Sequence, residues 1–244
     1  MTPNTAIPRT IHYCWFGGGR ISALGRRCME TWREQMPDYA LEFWDESRLN
    51  WDSRYIKIAL RKRKYAFVAD YVRLRALYDY GGLYFDTDIE VVQPFDELLN
   101  NELIFGLQTP DSIGVGAIGA AKGHPFLKLA LDRLDAEAMA GTPSFQPLPE
   151  LITQLARANP SIAPRAYPEE YFYPYNPHSP VPLRQKPLQS NMSDRTFCIH
   201  HWEGTWLGGM TLSMMIGLRL KDRIRRMGPA RWRRLSIWDE RARL

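Results

Sequence analysis

Asp86-Thr87-Asp88 sets two carboxylates two positions apart, directly after the short β-favouring run Leu83-Tyr84-Phe85. In extended chain such residues point to the same side, so both can face one cation. Carboxylates are hard oxygen ligands, suited to Mg2+ or Mn2+ held partly by substrate phosphates. A metal so placed neutralises a diphosphate leaving group as a Lewis acid. Upstream, Asp70 and Arg73 are three apart and therefore neighbours on one face of a helix. A guanidinium is shaped for bidentate contact with phosphate oxygens. The bland readings are two solvated turn aspartates and a surface ion pair worth a few tenths of a kcal/mol. An apolar strand, an aromatic just before the first aspartate and the Asp/Arg pair together argue against them.

These four side chains need a helix, a tight stop and a strand to bring them together. The spacing predicts the helix over 66–80, where Phe67, Tyr71, Leu74 and Tyr78 form an apolar stripe widened by Val68, Val72 and Leu77. Gly81-Gly82 supplies the positive φ that commonly closes a helix. Earlier, residues 10–16 read as a strand buried on both faces, followed by Gly17-Gly18-Gly19. That turn is either a backbone approach to a nucleotide or a plain flexible turn, being neither a GxGxxG nor a Walker sequence. A helix is expected over 22–35, a strand over 41–44, and a basic helix or helix end over 56–64. A short helix follows Pro94 at 95–99 and a strand lies at 103–107. Residues 113–121 are a small-residue strand or turn, with helices at 126–140 and 148–158 and a late strand at 196–200. The alternation predicts an α/β fold with a mostly parallel or mixed sheet flanked by helices. Residues 160–187 form an aromatic, proline-rich excursion whose rings want burial.

At 244 residues, 45% apolar and 24% charged, the chain is expected to be one globular domain without internal repeats. Three scattered cysteines (Cys14, Cys28, Cys198) exclude a disulfide framework, and no CxxC pair suggests structural zinc. No apolar run approaches the roughly 18 residues of a membrane span, and residues 1–8 lack a signal-peptide core. A reducing, cytoplasmic setting is the expectation, which leaves the Asn191-Met192-Ser193 sequon without meaning. The net charge of +5 belongs to a tail: residues 219–244 carry ten Lys/Arg against three acids. The basic segment 214–244 reads either as a peripheral contact with an anionic membrane or as a solvated terminal helix. Nucleic-acid binding is disfavoured, because no reader motif accompanies the arginines.

The run Ala69-Asp70-Tyr71-Val72-Arg73 through Gly81-Gly82-Leu83-Tyr84-Phe85-Asp86-Thr87-Asp88 resembles glycosyltransferase family 32, sugar transferases with a DxD motif. Its members include yeast-type α-1,6-mannosyltransferases and bacterial capsular polysaccharide enzymes. The clostridial glucosylating toxins are more distantly similar. Ile7-Pro8-Arg9-Thr10-Ile11-His12 with Trp15, and His201-Trp202-Glu203-Gly204-Thr205-Trp206, extend the resemblance over residues 7–206. It implies a Rossmann-like GT-A domain over 1–213, a divalent metal, a nucleotide-sugar donor (UDP or GDP) and retention of anomeric configuration. Asp88 is then a direct metal ligand, and Asp86 contacts the metal or the donor's hydroxyls. Asp70 and Arg73 match the pair that holds the transferring sugar. Trp15 matches a ring stacked on the base, the alternative being a core aromatic, and Tyr84 lies close to the donor.

The late His201-Trp202-Glu203-Gly204 is similar to a metal-binding His-aromatic-x-Gly segment of retaining GT-A enzymes. The resemblance therefore implies His201 as the third ligand, with His200 as its competitor because adjacent strand residues face opposite ways. Imidazole favours Mn2+ over Mg2+. Thr205 and Trp206 would close over the diphosphate. His12, His124 and His178 are expected to serve structure. Gly114-Val115-Gly116-Ala117 departs from the family, whose members often carry a polar, sugar-contacting residue there. The implied function is retaining sugar transfer to a saccharide or lipid-linked saccharide, in polysaccharide, capsule or glycolipid synthesis. The alternative is a toxin- or effector-like enzyme acting on a protein.

Overall fold

The computed structural model describes residues 6–49, 51–141 and 143–204. Strand β1 (Thr10–Cys14) leads to helix α1 (Ala23–Gln35), which Ser22 caps by accepting the Gly25 N–H at 2.8 Å. Strand β2 (Ala40–Trp44), helix α2 (Arg54–Arg61) and helix α3 (Tyr65–Tyr80) follow. The expected basic helix at 56–64 thus divides at Lys62–Lys64, where Arg63 takes a positive φ of 53°. Next come β3 (Gly82–Phe85), β4 (Ile89–Val91), β5 (Leu103–Thr109) and β6 (Ser112–Ala120). Helices α4 (Pro125–Met139) and α5 (Leu148–Ala158) precede β7 (Arg165–Tyr167), α6 (Glu169–Phe172) and β8 (Cys198–His200).

Six strands form one mixed sheet in the order β2-β1-β3-β6-β5-β7, and β4 pairs with β8 in a separate antiparallel ribbon. β1 runs parallel to β2 and β3, while β6 runs antiparallel to both β3 and β5. This is the mixed α/β sheet with flanking helices that the alternation of elements predicts. β3 is buried along its whole length, with period-two side chains feeding two cores. Leu83 and Phe85 join Ile11, Trp32, Ile89, Phe95 and Phe197 on one face. Tyr84 joins Val68, Leu74, Phe105 and Phe126 on the other, beneath α2, α3 and α4. Each fully buried aromatic or branched side chain contributes about 1.5–3 kcal/mol.

α3 lies between the sheet and the outer helices, so it is buried on more than the one stripe its sequence suggests: Val68, Tyr71, Val72, Leu74, Ala76 and Leu77 are all covered. Its end is set by glycine. Gly81 has φ 70° and Gly82 φ 110°, and a Cβ on Gly82 would sit 2.6 Å from the Thr10 carbonyl oxygen. Only glycine lets the chain leave α3 and enter β3 against β1.

The proline-rich excursion is ordered as its aromatics require, with Phe172, Tyr173 and Tyr175 buried. His12 is buried between the Gly81 carbonyl (2.9 Å) and the Trp44 indole N–H (3.2 Å), and His124 caps α4. All three cysteines are buried and free. No helix among the described residues is long and apolar enough to cross a membrane.

Candidate active site

Asp86-Thr87-Asp88 is not extended chain, as the sequence reading supposed. β3 stops at Phe85, and the Ile89 N–H donates to the Asp86 carbonyl at 2.9 Å, closing a tight turn between β3 and β4. The Asp86 N–H donates to the Gly116 carbonyl (2.8 Å), which ties the turn to β6. The turn still brings the carboxylates together. One donor atom each from Asp86, Asp88 and His200 lies within 4.8 Å of the others.

Asp70 and Arg73 reach this group from α3. The Arg73 guanidinium lies 3.1 Å from Asp70 Oδ1 and 3.3 Å from Asp86 Oδ1, and donates to the Val115 carbonyl at 2.7 Å. It also rests over the Tyr84 ring at 4.7 Å. Its side chain is 7% exposed against 15% for Asp70 and 27% for Asp86, so the guanidinium is the most deeply buried of the three. Burial works against the Arg73 charge, yet the Asp86 and Asp70 carboxylates and Tyr84 around it hold its pKa well above the ordinary value. Asp70 behaves oppositely. Burial lifts its carboxyl to about 6, Arg73 pulls it down and Asp86 adds to the rise.

Asp88 is grasped by the segment that follows β8. Its Oδ1 lies 3.3 Å from His200 Nε2, and its Oδ2 accepts the Glu203 N–H at 2.8 Å. The His201 N–H donates to the Asp88 carbonyl at 3.1 Å. This wrapping requires Trp202 to adopt φ 54°, a left-handed backbone that a tryptophan takes only under constraint. Burial would raise the Asp88 carboxyl, but His200 and the Glu203 amide outweigh it and hold it well below the ordinary range. Burial would lower His200, and the Asp88 charge reverses that, holding its pKa above 6.5.

The third donor in this geometry is His200, not His201. β8 pairs His200 with Ile89, and the strand alternation sends the next side chain to the opposite face. There His201 Nε2 meets Glu90 Oε2 at 2.6 Å. His200 Nδ1 is buried without a hydrogen-bond partner. An orphaned ring nitrogen beside two carboxylates is a donor set that suits Mn2+ or Mg2+.

Residues 23–105 match the family described as a glycosyltransferase sugar-binding region containing the DXD motif. This part of the chain is similar to that family. The DXD region therefore contains Asp70, Arg73, Asp86 and Asp88, and stops before His200. Inositol phosphoceramide mannosyltransferase 3 of Schizosaccharomyces pombe is 32% identical over 129 residues, which is 51% of this chain and 36% of that protein. The match thus spans little more than a third of that relative's length. An uncharacterized glycosyltransferase, L373, of Acanthamoeba polyphaga mimivirus is 24% identical over 186 residues, covering 70% of this chain and 74% of that one. Among solved structures, PaToxG glycosyltransferase superposes with a TM-score of 0.50 at 18% identity, over 63% of this chain and 69% of that one. That likeness shows the fold.

Around the DXD region, the remaining expected residues fall in different places. Tyr84 is fully buried, and besides its ring under Arg73 it offers the site its hydroxyl, which donates to Asp86 Oδ1 at 3.1 Å. Cys14 Sγ lies 3.1 Å from the same hydroxyl, and burial pushes that thiol up to about 12. Trp15 is half-buried after β1, and its indole N–H donates to the Gly19 carbonyl at 2.6 Å. The Gly17 N–H of the glycine-rich turn already donates to Glu46 at 2.7 Å. Thr205, Trp206 and the basic segment 214–244 lie outside the described residues.

Three further residues shape the site through contacts that no local sequence signal marks. The Tyr173 hydroxyl accepts the Gly116 and Ala117 N–H groups at 3.0 and 3.2 Å. Glu203, beyond its amide on Asp88, accepts the Ser22 hydroxyl at 2.7 Å and so joins the site to the start of α1. Gly116 lies against Asp86 and His200. The run of small residues in β6 was visible, but the side chains that fill its space come from distant parts of the chain.

Proposed function

We propose that this chain is a divalent-metal-dependent glycosyltransferase that moves a hexose from a nucleotide-diphosphate sugar to a saccharide or lipid-linked acceptor. One observation carries the reading: Asp86, Asp88 and His200 offer donor atoms within 4.8 Å of each other, inside or against a DXD region and beside the Asp70–Arg73 pair. Asp86, Asp88 and His200 would hold Mn2+ or Mg2+, which supplies Lewis-acid neutralisation of the diphosphate.

The chain's own groups do the rest. Arg73, being buried and bonded to Asp70, Asp86 and Val115, acts as a strut that keeps both carboxylates aimed outward, rather than as a hand on the phosphates. Asp70 and Asp86, both less deeply buried than Arg73, are the acceptors that would take the hydroxyls of the transferring sugar, fixing the anomeric carbon for attack. Retention would follow from a front-face displacement in which the departing phosphate oxygen takes the acceptor's proton. The mannosyltransferase relative supports a hexose donor and a lipid-bearing acceptor; the basic segment 214–244 would suit such an acceptor by meeting an anionic membrane.

The test is a panel of UDP- and GDP-hexoses with Mn2+, scored by thermal shift and then by NMR of the product's anomeric proton. Stabilisation by at least one donor and a product of unchanged anomeric configuration is the expected result. No stabilisation by any donor overturns the enzyme reading, and an inverted product overturns the retaining mechanism.

A further inference from the structure

β6 runs beside the DXD turn with the sequence Gly114-Val115-Gly116-Ala117, and the two glycines are kept small by different neighbours. A Cβ on Gly114 would lie 2.5 Å from the Tyr173 ring. A Cβ on Gly116 would instead lie 3.1 Å from Asp86 Oδ2 and 3.3 Å from both Cε1 and Nδ1 of His200. Position 116 therefore borders two of the three donor groups at once. Its backbone is fixed from both sides, because its carbonyl accepts the Asp86 N–H at 2.8 Å and its own N–H donates to the Tyr173 hydroxyl at 3.0 Å. Gly116 has no positive φ and sits within a strand, so conformation alone does not call for glycine there. What does is the space beside Asp86 and the unpartnered, buried Nδ1 of His200.

We propose that Gly116 is a positioning residue for the divalent cation: its missing Cβ leaves the gap in which Asp86 and His200 close on the same ion. The inference rests on the metal reading of Asp86, Asp88 and His200, and adds that the cavity's width is set from β6. A methyl group at 116 pushes against carboxylate and imidazole ends that can turn away by a few tenths of an ångström. The fold accommodates it, and the convergence of the donors does not.

The test is Gly116→Ala in the full chain, with Mn2+ affinity measured by titration calorimetry and by the EPR signal of free Mn2+, and with thermal unfolding followed in the absence of metal. Metal-free stability should be unchanged or raised, since alanine costs a strand less than glycine does. Mn2+ affinity should fall about ten- to a hundredfold, the size of effect typical of residues that orient metal ligands. A folded variant with wild-type Mn2+ affinity overturns the inference, and so does a variant that fails to fold, because the crowding is assigned to movable side chains. His200→Ala and the wild-type chain separate this failure from that of the parent reading. If the wild type does not bind Mn2+, or His200→Ala binds it equally well, the metal reading itself falls.

Discussion

Burial lifts the Asp70 carboxyl from an ordinary 3.8 to about 6, with Arg73 opposing the rise and Asp86 adding to it. A carboxyl that holds its proton more tightly folded than unfolded contributes most to stability below the unfolded value. That contribution is lost as pH rises through about 6. For a shift from 3.8 to about 6 the difference is about 3 kcal/mol. Asp70→Asn should remove this dependence, so that between about pH 4 and pH 7 its stability rises relative to wild type by about that amount. Urea unfolding of both proteins across the range checks it, and parallel curves would be the contrary outcome. The two neighbouring histidines give a second contrast. His200→Ala should abolish Mn2+ binding and also cost about 1–3 kcal/mol, because it takes away the imidazole 3.3 Å from the buried Asp88 carboxylate. His201→Ala should keep the ion and lose the 2.6 Å contact with Glu90, at a cost of about 1–3 kcal/mol. Titration with Mn2+ alongside urea unfolding separates them. The sequence showed that only one of the pair could face the carboxylates. It did not show which, because that depends on the register of β8 against β4, a pairing between segments more than a hundred positions apart.

At the scale of elements, the junction from α3 to β3 carries the site. Gly81 and Gly82 turn the chain so that Arg73, one face of α3 back, meets Asp86, just past β3. Gly82→Ala should destabilise the fold by about 2 kcal/mol or more, since it combines an unfavourable backbone with a Cβ 2.6 Å from the Thr10 carbonyl. Thermal unfolding of the variant is the check, and a loss within about 0.5 kcal/mol would contradict the geometry. This junction was the most legible part of the chain. A helix-period stripe, paired glycines and a β-favouring triplet are local signals that need no distant partner. The β3–β4 turn was less so: the aspartates were expected to align by strand alternation, and they align because the chain bends between them. Arg73 likewise looked like a phosphate ligand from its type alone. Its burial under Tyr84, Val115 and the two carboxylates comes from how α3 packs on the sheet, which spacing along the helix does not encode.

At the scale of the molecule, the donors come from both sheets. Asp86 follows β3 of the six-stranded sheet, Asp88 directly precedes β4, and His200 is the last residue of β8 in the ribbon. Saturating Mn2+, at about a hundred times its dissociation constant, should stabilise the chain by about 2.7 kcal/mol. For a chain of this size that corresponds to about 5–10 °C in melting temperature. Excess EDTA should reverse the gain, and a melting temperature insensitive to both reagents would speak against a shared ion.

The Glu203 amide clasps the Asp88 carboxylate across 115 positions of sequence. An ion held by Asp88 and His200 would fasten the same long loop a second time, as a removable cross-link. The entropy forfeited in closing so long a loop grows only slowly with its length, so one coordinate bond at the far end restrains the whole intervening chain. During synthesis, the aspartates leave the ribosome long before the imidazole that completes their cage. A nascent chain halted within the proline-rich excursion would own the motif and still lack the third donor of the proposed metal site.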